Sequence, residues 1–267
     1  MSAATILHIS AGDAAAGVSD AEFKRLIGIP RGREVSEEVA ARAGLARPWY
    51  IEHGRPFVAT RRIELRDIGV ASVTLGTGEV ITGAALAERL RDGEAHALVA
   101  LAVSAGCEVA DEAARLWAAD RLDESYFLDR FATAVAEQLV WQASAALCGD
   151  ATAAGEGLLP HISPGCGRWE ISAQQSLMAL LLGVSPPAGR DADPAGHDPD
   201  GVMTIGPLTL LETGALRPQH SLLAALGVTR RAIVATPEFS CRSCDLAHCR
   251  YRRARCARET PVPRVIE

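Results

Sequence analysis

Four cysteines near the C-terminus have the residue type and the spacing to hold a metal. Residues 241–256 read CRSCDLAHCRYRRARC, so Cys241, Cys244, Cys249 and Cys256 form a C-x2-C-x4-C-x6-C pattern. A C-x2-C pair bends back into a chelating turn, and four thiolates in one short segment can surround one ion. Zinc and a [4Fe–4S] cluster both accept four thiolates, and the spacing does not choose between them. Arg242, Arg250, Arg252, Arg253 and Arg255 would offset the negative charge of either site. Beside a cluster such charge would tend to raise the reduction potential. His248 is an alternative ligand, whereas Cys107 and Cys148 lack ligand spacing and are expected in the core.

A second stretch, residues 160–175, reads PHISPGCGRWEISAQQ. Pro164 fixes φ, while Gly165 and Gly167 allow positive φ and close approach of a ligand to the main chain. A helix capped by Ser172 is expected to follow, with free N–H groups at its start for an anion. The expectation is that main-chain amides around Gly165 face a small ligand. The bland alternative is a tight loop between helices, with His161 a hydrogen-bonded structural group and Cys166 a small buried residue.

Before that loop, residues 125–147 read SYFLDRFATAVAEQLVWQASAAL. Phe127, Phe131, Val135 and Leu139 recur every four residues and mark one apolar stripe of a helix. Asp129, Thr133 and Glu137 fall roughly opposite. They form either a solvated acidic face or the polar wall of a ligand cleft.

Taken in order, these segments resemble the activation domain of cobalamin-dependent methionine synthase. The helix carries Asp129-Arg130, then Ala132, Ala134, Ala136 and Glu137; Ser163-Pro164-Gly165-Cys166-Gly167 comes next, then a helix with Gln174 and Gln175. Residues 210–224, LLETGALRPQHSLLA, are similar to the family's Leu-Thr-Glu-Ser and Met-x-Pro segment, with Glu212, Thr213, Leu216, Pro218 and Ser221 at the matching steps. The likeness spans roughly residues 125–235 and extends to free-standing relatives with a cysteine-rich tail.

The resemblance implies an α+β domain curved around a cleft for S-adenosylmethionine. It implies a role in returning oxidised cob(II)alamin to methylcobalamin, as a reactivation component of the methyltransferase class. Asp129, Thr133, Glu137, His161, Pro164, Gly165, Cys166 and Gly167 are the implied cofactor-binding residues. Three positions depart from the family pattern. His161 stands for an arginine, Cys166 for a tyrosine, and Thr133 for a glutamate, with Glu137 one turn further on. A guanidinium clamps a carboxylate bidentately with a permanent charge, which an imidazole does not match. No Asp-x-His-x-x-Gly cobalamin motif is present, so the corrin must come on a corrinoid-binding partner, with an electron donor as a further partner.

The elements that must position these residues read as a mixture. Helices are expected over 20–28 and 36–46, capped by Ser19 and Ser36, the second stopping before Pro48. Short strands are expected over 57–81, a helix over 84–92 capped by Thr82, and a buried strand over 96–104. Helix follows over 109–147 with a break near Arg121–Glu124, then a loop over 149–168 and a helix over 172–183. Residues 185–201 read as a surface excursion, and strands alternate with turns over 202–236. This order gives α+β with a largely antiparallel sheet flanked by helices over 1–236, plus a metal-binding tail over 237–267.

Of the 267 residues, 48% are hydrophobic, 22% charged and 4% aromatic, so small and aliphatic side chains must fill the core. The net charge of -6 is uneven: residues 241–258 carry six arginines and one aspartate, +5, leaving -11 elsewhere. An acidic body argues against broad nucleic-acid binding. No apolar run nears about 18 residues, the start lacks a secretion signal, and the cytoplasm is expected. There is no P-loop, dinucleotide fingerprint or Ser-His-Asp pattern. Two other functions fit the cysteines: a zinc module docking on protein or nucleic acid, and an iron–sulfur redox subunit without S-adenosylmethionine binding. Salt-sensitive nucleic-acid binding lost on chelation marks the first; a redox signal without ligand binding marks the second.

Overall fold

The computed structural model describes residues 3–30, 32–166, 168–184 and 202–231. In chain order the elements are β1 (Thr5–Ile6), α1 (Ala11–Gly17), α2 (Asp20–Leu26), α3 (Glu37–Gly44), α4 (Ala46–His53), β2 (Phe57–Ile68), β3 (Ser72–Leu75), β4 (Val80–Thr82), α5 (Ala84–Asp92) and β5 (Ala95–Ser104). They continue with α6 (Glu108–Ala118), α7 (Leu122–Ala153), β6 (Gly157–Leu158), α8 (Gln174–Leu182), β7 (Met203–Ile205), β8 (Leu208–Leu210), β9 (Leu216–Arg217) and β10 (Ser221–Thr229). The class is α+β. One sheet has the strand order β4-β3-β2-β5-β10-β6, with β1 also paired to β2; a small sheet has the order β7-β8-β9. The β1–β2, β2–β3, β3–β4 and β10–β6 pairs are antiparallel.

The chain forms two compact units, one of Met1–Arg61, Ala100–Ala146 and Gln174–Leu223, the other of Arg62–Val99, Leu147–Ala173 and Ala224–Glu267. In the first, the apolar stripe of α7 is buried: Phe131, Val135 and Leu139 are fully enclosed and Phe127 nearly so. Phe131 meets Phe23 and Tyr50 edge-on, at centroid distances of 5.3 and 5.9 Å. The Tyr50 hydroxyl donates to the Ala105 carbonyl at 2.7 Å. Burial and the nearby Glu108 carboxylate push its ionisation up, so it remains a neutral donor. Buried Arg61 donates to the Leu180 carbonyl at the end of α8, 2.6 Å away. The same carbonyl also accepts the Gly183 amide at 3.2 Å, so Arg61 reinforces the end of α8.

In the second unit Leu75, Ile81, Leu86, Leu90, Leu98, Leu158 and Trp169 are fully buried. A Cβ on Gly227 would lie 2.5 Å from Leu159 Cδ1 and 2.7 Å from Leu90 Cδ2, so a larger residue on β10 would displace these two side chains.

Local signals account for most boundaries. Ser10, Ser19 and Ser36 accept the amides of Asp13, Glu22 and Val39 and so start α1, α2 and α3. Pro48 does not end a helix: α3 stops at Gly44, and α4 carries Pro48 in its first turn, where an amide has no intrahelical partner to lose. The break between α6 and α7 is present, with Asp120 at φ +59°. Helix α7 runs through Gly149 to Ala153 and is ended by Gly155 at φ +72°, whose amide closes on Thr152. Cys107 is exposed just before α6 and Cys148 is half-buried on α7, so Cys107 is not the core residue its lack of ligand spacing suggested. Residues 185–201 and the cysteine tail lie outside the described residues.

Candidate functional site

The Ser-Pro-Gly-Cys segment is a closed turn in the second unit. The chain enters from β6, where the Leu159 amide bonds Gly227 at 2.8 Å and Ile162 exchanges two bonds with Ala225 at 2.9 and 2.8 Å. The Cys166 amide then donates back to the Ser163 carbonyl at 3.0 Å, and the Gly165 amide donates to the Trp169 carbonyl at 2.7 Å. Gly165 sits at φ +88°, a conformation that disfavours any side chain. The expected presentation of the Gly165 and Cys166 amides to a ligand is therefore corrected: both are used inside the turn. Among the described residues none donates a backbone amide to the carbonyls of Pro164 and Gly165. Cys166 is exposed. Gly167 lies outside the described residues.

Trp169 anchors the far side of the turn. It is 1% exposed, and its indole N–H donates to the Thr82 carbonyl at 3.2 Å. It packs so closely on Gly83 that a Cβ there would lie 2.3 Å from Trp169 Cδ1. Gly83, not Thr82, is consequently the N-cap of α5, and no side chain caps that helix. Arg89 of the same helix donates through Nη1 to the carbonyls of Pro160 and His161, at 3.3 and 2.9 Å. Ser172 lies in a 3-10 turn, Ile171–Ala173, that leads into α8, so it is not the cap of that helix.

The helix residues lie in the first unit. Asp129 Oδ1 accepts from Gln219 Nε2 at 2.6 Å and stands 3.0 Å from His220 Nε2; its Oδ2 accepts from Arg130. Burial raises the Asp129 carboxyl, but hydrogen bonds from His220 and Arg130 and their charge outweigh it and hold it down at about 2. Thr133 Oγ1 donates to the Asp129 carbonyl at 3.1 Å and lies 3.4 Å from His220 Nδ1. The structure thus brings Asp129 and Thr133 together around one imidazole. Glu137, one turn on, faces Arg25 of α2 at 3.8 Å instead.

His220 is the residue that sequence reasoning missed. It is 7% exposed, its carbonyl accepts the Ala105 amide at 2.9 Å, and the next residue, Ser221, donates to Ser104 Oγ at 3.0 Å. Its sequence signal was a lone polar ring between Pro218 and an apolar strand. No spacing rule joins it to a carboxylate some ninety residues earlier.

Comparison with known proteins finds a likeness among solved structures. No protein-family model and no curated protein matches the sequence. A crystal structure of the MetH reactivation domain bound to AdoHcy is similar with a TM-score of 0.56, at 12% identity, over 87% of this chain and 80% of that one. The chain shares that domain's fold.

Within this fold the implied site residues divide between the units: Asp129, Thr133 and Glu137 belong to the first, His161, Pro164, Gly165 and Cys166 to the second. An apolar groove of about 300 Å³, lined by Phe23, Ile27, Val39, Ala43 and Pro48 among others, contains none of them. Among the described residues no group of three or more His, Cys, Asp or Glu side chains is placed to hold a metal ion. Cys241, Cys244, Cys249 and Cys256 lie outside the described residues. No helix among the described residues is long and apolar enough to cross a membrane.

Proposed function

We propose that this chain binds S-adenosylmethionine and presents it to a corrinoid carried by a partner protein, for the reductive remethylation of cobalamin. The observation that carries this reading is the shared fold, over 87% of the chain, with a MetH reactivation domain bound to AdoHcy. The proposed ligand contacts are His161, Pro164, Gly165, Cys166 and Gly167 in the loop, and Asp129, Thr133 and Glu137 on α7.

The chemistry of these groups suits a cation. S-adenosylmethionine carries a sulfonium, an ammonium and an exocyclic amine, all of which seek oxygen. The turn carries the carbonyls of Pro164 and Gly165, which accept no described backbone amide, and hydrogen bonds from His220 and Arg130 keep the Asp129 carboxyl charged at neutral pH. The reacting bonds belong to the ligand and the corrin: one electron reduces the cobalt, and the sulfonium methyl passes to it, leaving S-adenosylhomocysteine. The protein's part is to bind, orient and exclude water. For the 237–267 tail we propose a separate unit in which Cys241, Cys244, Cys249 and Cys256 hold zinc or a [4Fe–4S] cluster, the cluster serving as a route for that electron.

Calorimetry on the full chain tests the ligand. Wild type is expected to give a saturable heat with S-adenosylmethionine. Gly165→Ala, forced to keep φ near +88°, is expected to bind more weakly, because an L side chain there costs roughly 1–2 kcal/mol. No saturation by wild type at millimolar ligand removes the reading.

A further inference from the structure

The proposed ligand turn is pinned at both ends to one helix of its own unit. At the far end the Trp169 indole is bonded to Thr82 and packed on Gly83, where α5 begins. At the near end Arg89, on the second half of α5, donates from one nitrogen to two successive carbonyls, Pro160 and His161. These carbonyls fall in the short stretch between the Leu159–Gly227 and Ile162–Ala225 contacts, where regular pairing is interrupted. Arg89 is half-buried on α5, whose Leu86 and Leu90 are each 1% exposed. A guanidinium keeps its charge in such surroundings, and hydrogen bonds from a charged donor are about twice as strong as neutral ones.

We infer that Arg89 is a positioning residue of the ligand turn, fixing its entry so that the segment around Gly165 is held in one orientation. Arg89 acts through Pro160 and His161 and does not touch the ligand. The inference rests on the function proposed above. Its structural part, that Arg89 orders the turn, stands apart from that function and is measured separately.

The same helix supplies a matched control. Arg91 donates to the carbonyls of Gly69 and Val70, in the β2–β3 connection, and so makes the same kind of bond away from the turn. Full-length wild type, Arg89→Met, Arg89→Lys and Arg91→Met are compared well below their melting temperatures. Two readouts are taken: calorimetric titration with S-adenosylmethionine, and hydrogen exchange of the Gly165 and Cys166 amides. Both of those amides are bonded within the turn. Arg89→Met is expected to exchange them faster and to weaken binding roughly tenfold, the loss of one charge-assisted bond. Arg89→Lys is expected to recover part of both, and Arg91→Met to change neither. The inference is overturned if folded Arg89→Met exchanges those amides at the wild-type rate, or binds as wild type does, or if Arg91→Met loses as much affinity. Should wild type not bind at all, the proposed function fails, while the exchange comparison still decides whether Arg89 orders the turn.

Discussion

Replacing Asp129 by asparagine removes the charge that holds His220 while keeping the shape of the side chain. The carboxyl lies at about 2 in the folded chain, against an ordinary 3.8. At about 1.4 kcal/mol per unit, that difference sets an upper limit near 2.5 kcal/mol. Asp129 is partly open to solvent, with 21% of its side chain exposed, and screening lowers the expected loss to about 1–2 kcal/mol. The sign follows from linkage. A depressed carboxylate stabilises the fold above the unfolded value, and this contribution is lost as pH falls through the folded one. Urea denaturation of wild type and Asp129→Asn at pH 5 is expected to show the full difference. At pH 3 it is expected to shrink to about half, because the unfolded chain is then protonated and the folded one mostly is not. A difference that stays constant between pH 5 and pH 3 would refute the reasoning, since it would then stem from shape and not from charge.

The contact between Gly83 and Trp169 gives a second prediction. Gly83→Ala has no backbone penalty in its extended conformation, but its Cβ collides with the indole, and a loss of about 1–3 kcal/mol is expected in calorimetric melting. Trp169→Ala removes the ring, so the double variant is expected to lose less than the two single losses added; strict additivity counts against the contact. The third prediction concerns the tail. Anaerobically purified protein is expected to carry close to one zinc or four irons per chain by elemental analysis, falling sharply in a Cys241→Ala, Cys244→Ala variant; metal-free wild type removes the site.

The elements were legible where local physics acts alone. Ser19 and Ser36 cap their helices as their side chains require, the stripe Phe127–Phe131–Val135–Leu139 is buried, and β-branched residues make β2, β3 and β4. The failures have local causes of a subtler kind. Pro48 looked like a stop and is a first-turn residue, and Gly149 looked like a loop but is carried on the exposed face of α7, which runs on to Ala153. Thr82 looked like a cap, but its carbonyl serves a tryptophan far along the chain. At the candidate site, sequence located the turn but not the direction of its amides, because that depends on which carbonyls fold back within it. His220 was hidden because its partners, Asp129 and Thr133, are brought to it only by tertiary packing.

A turn that spends the N–H groups of Gly165 and Cys166 on itself has a bearing on turnover. Carbonyl dipoles attract a sulfonium and gain little from a neutral thioether. On the proposed function, donation of the methyl removes the charge that such dipoles favour, so the spent ligand is expected to be held less tightly than the fresh one. Discrimination between fresh and exhausted ligand is then written into the hydrogen bonds of Gly165 and Cys166 rather than into a moving part.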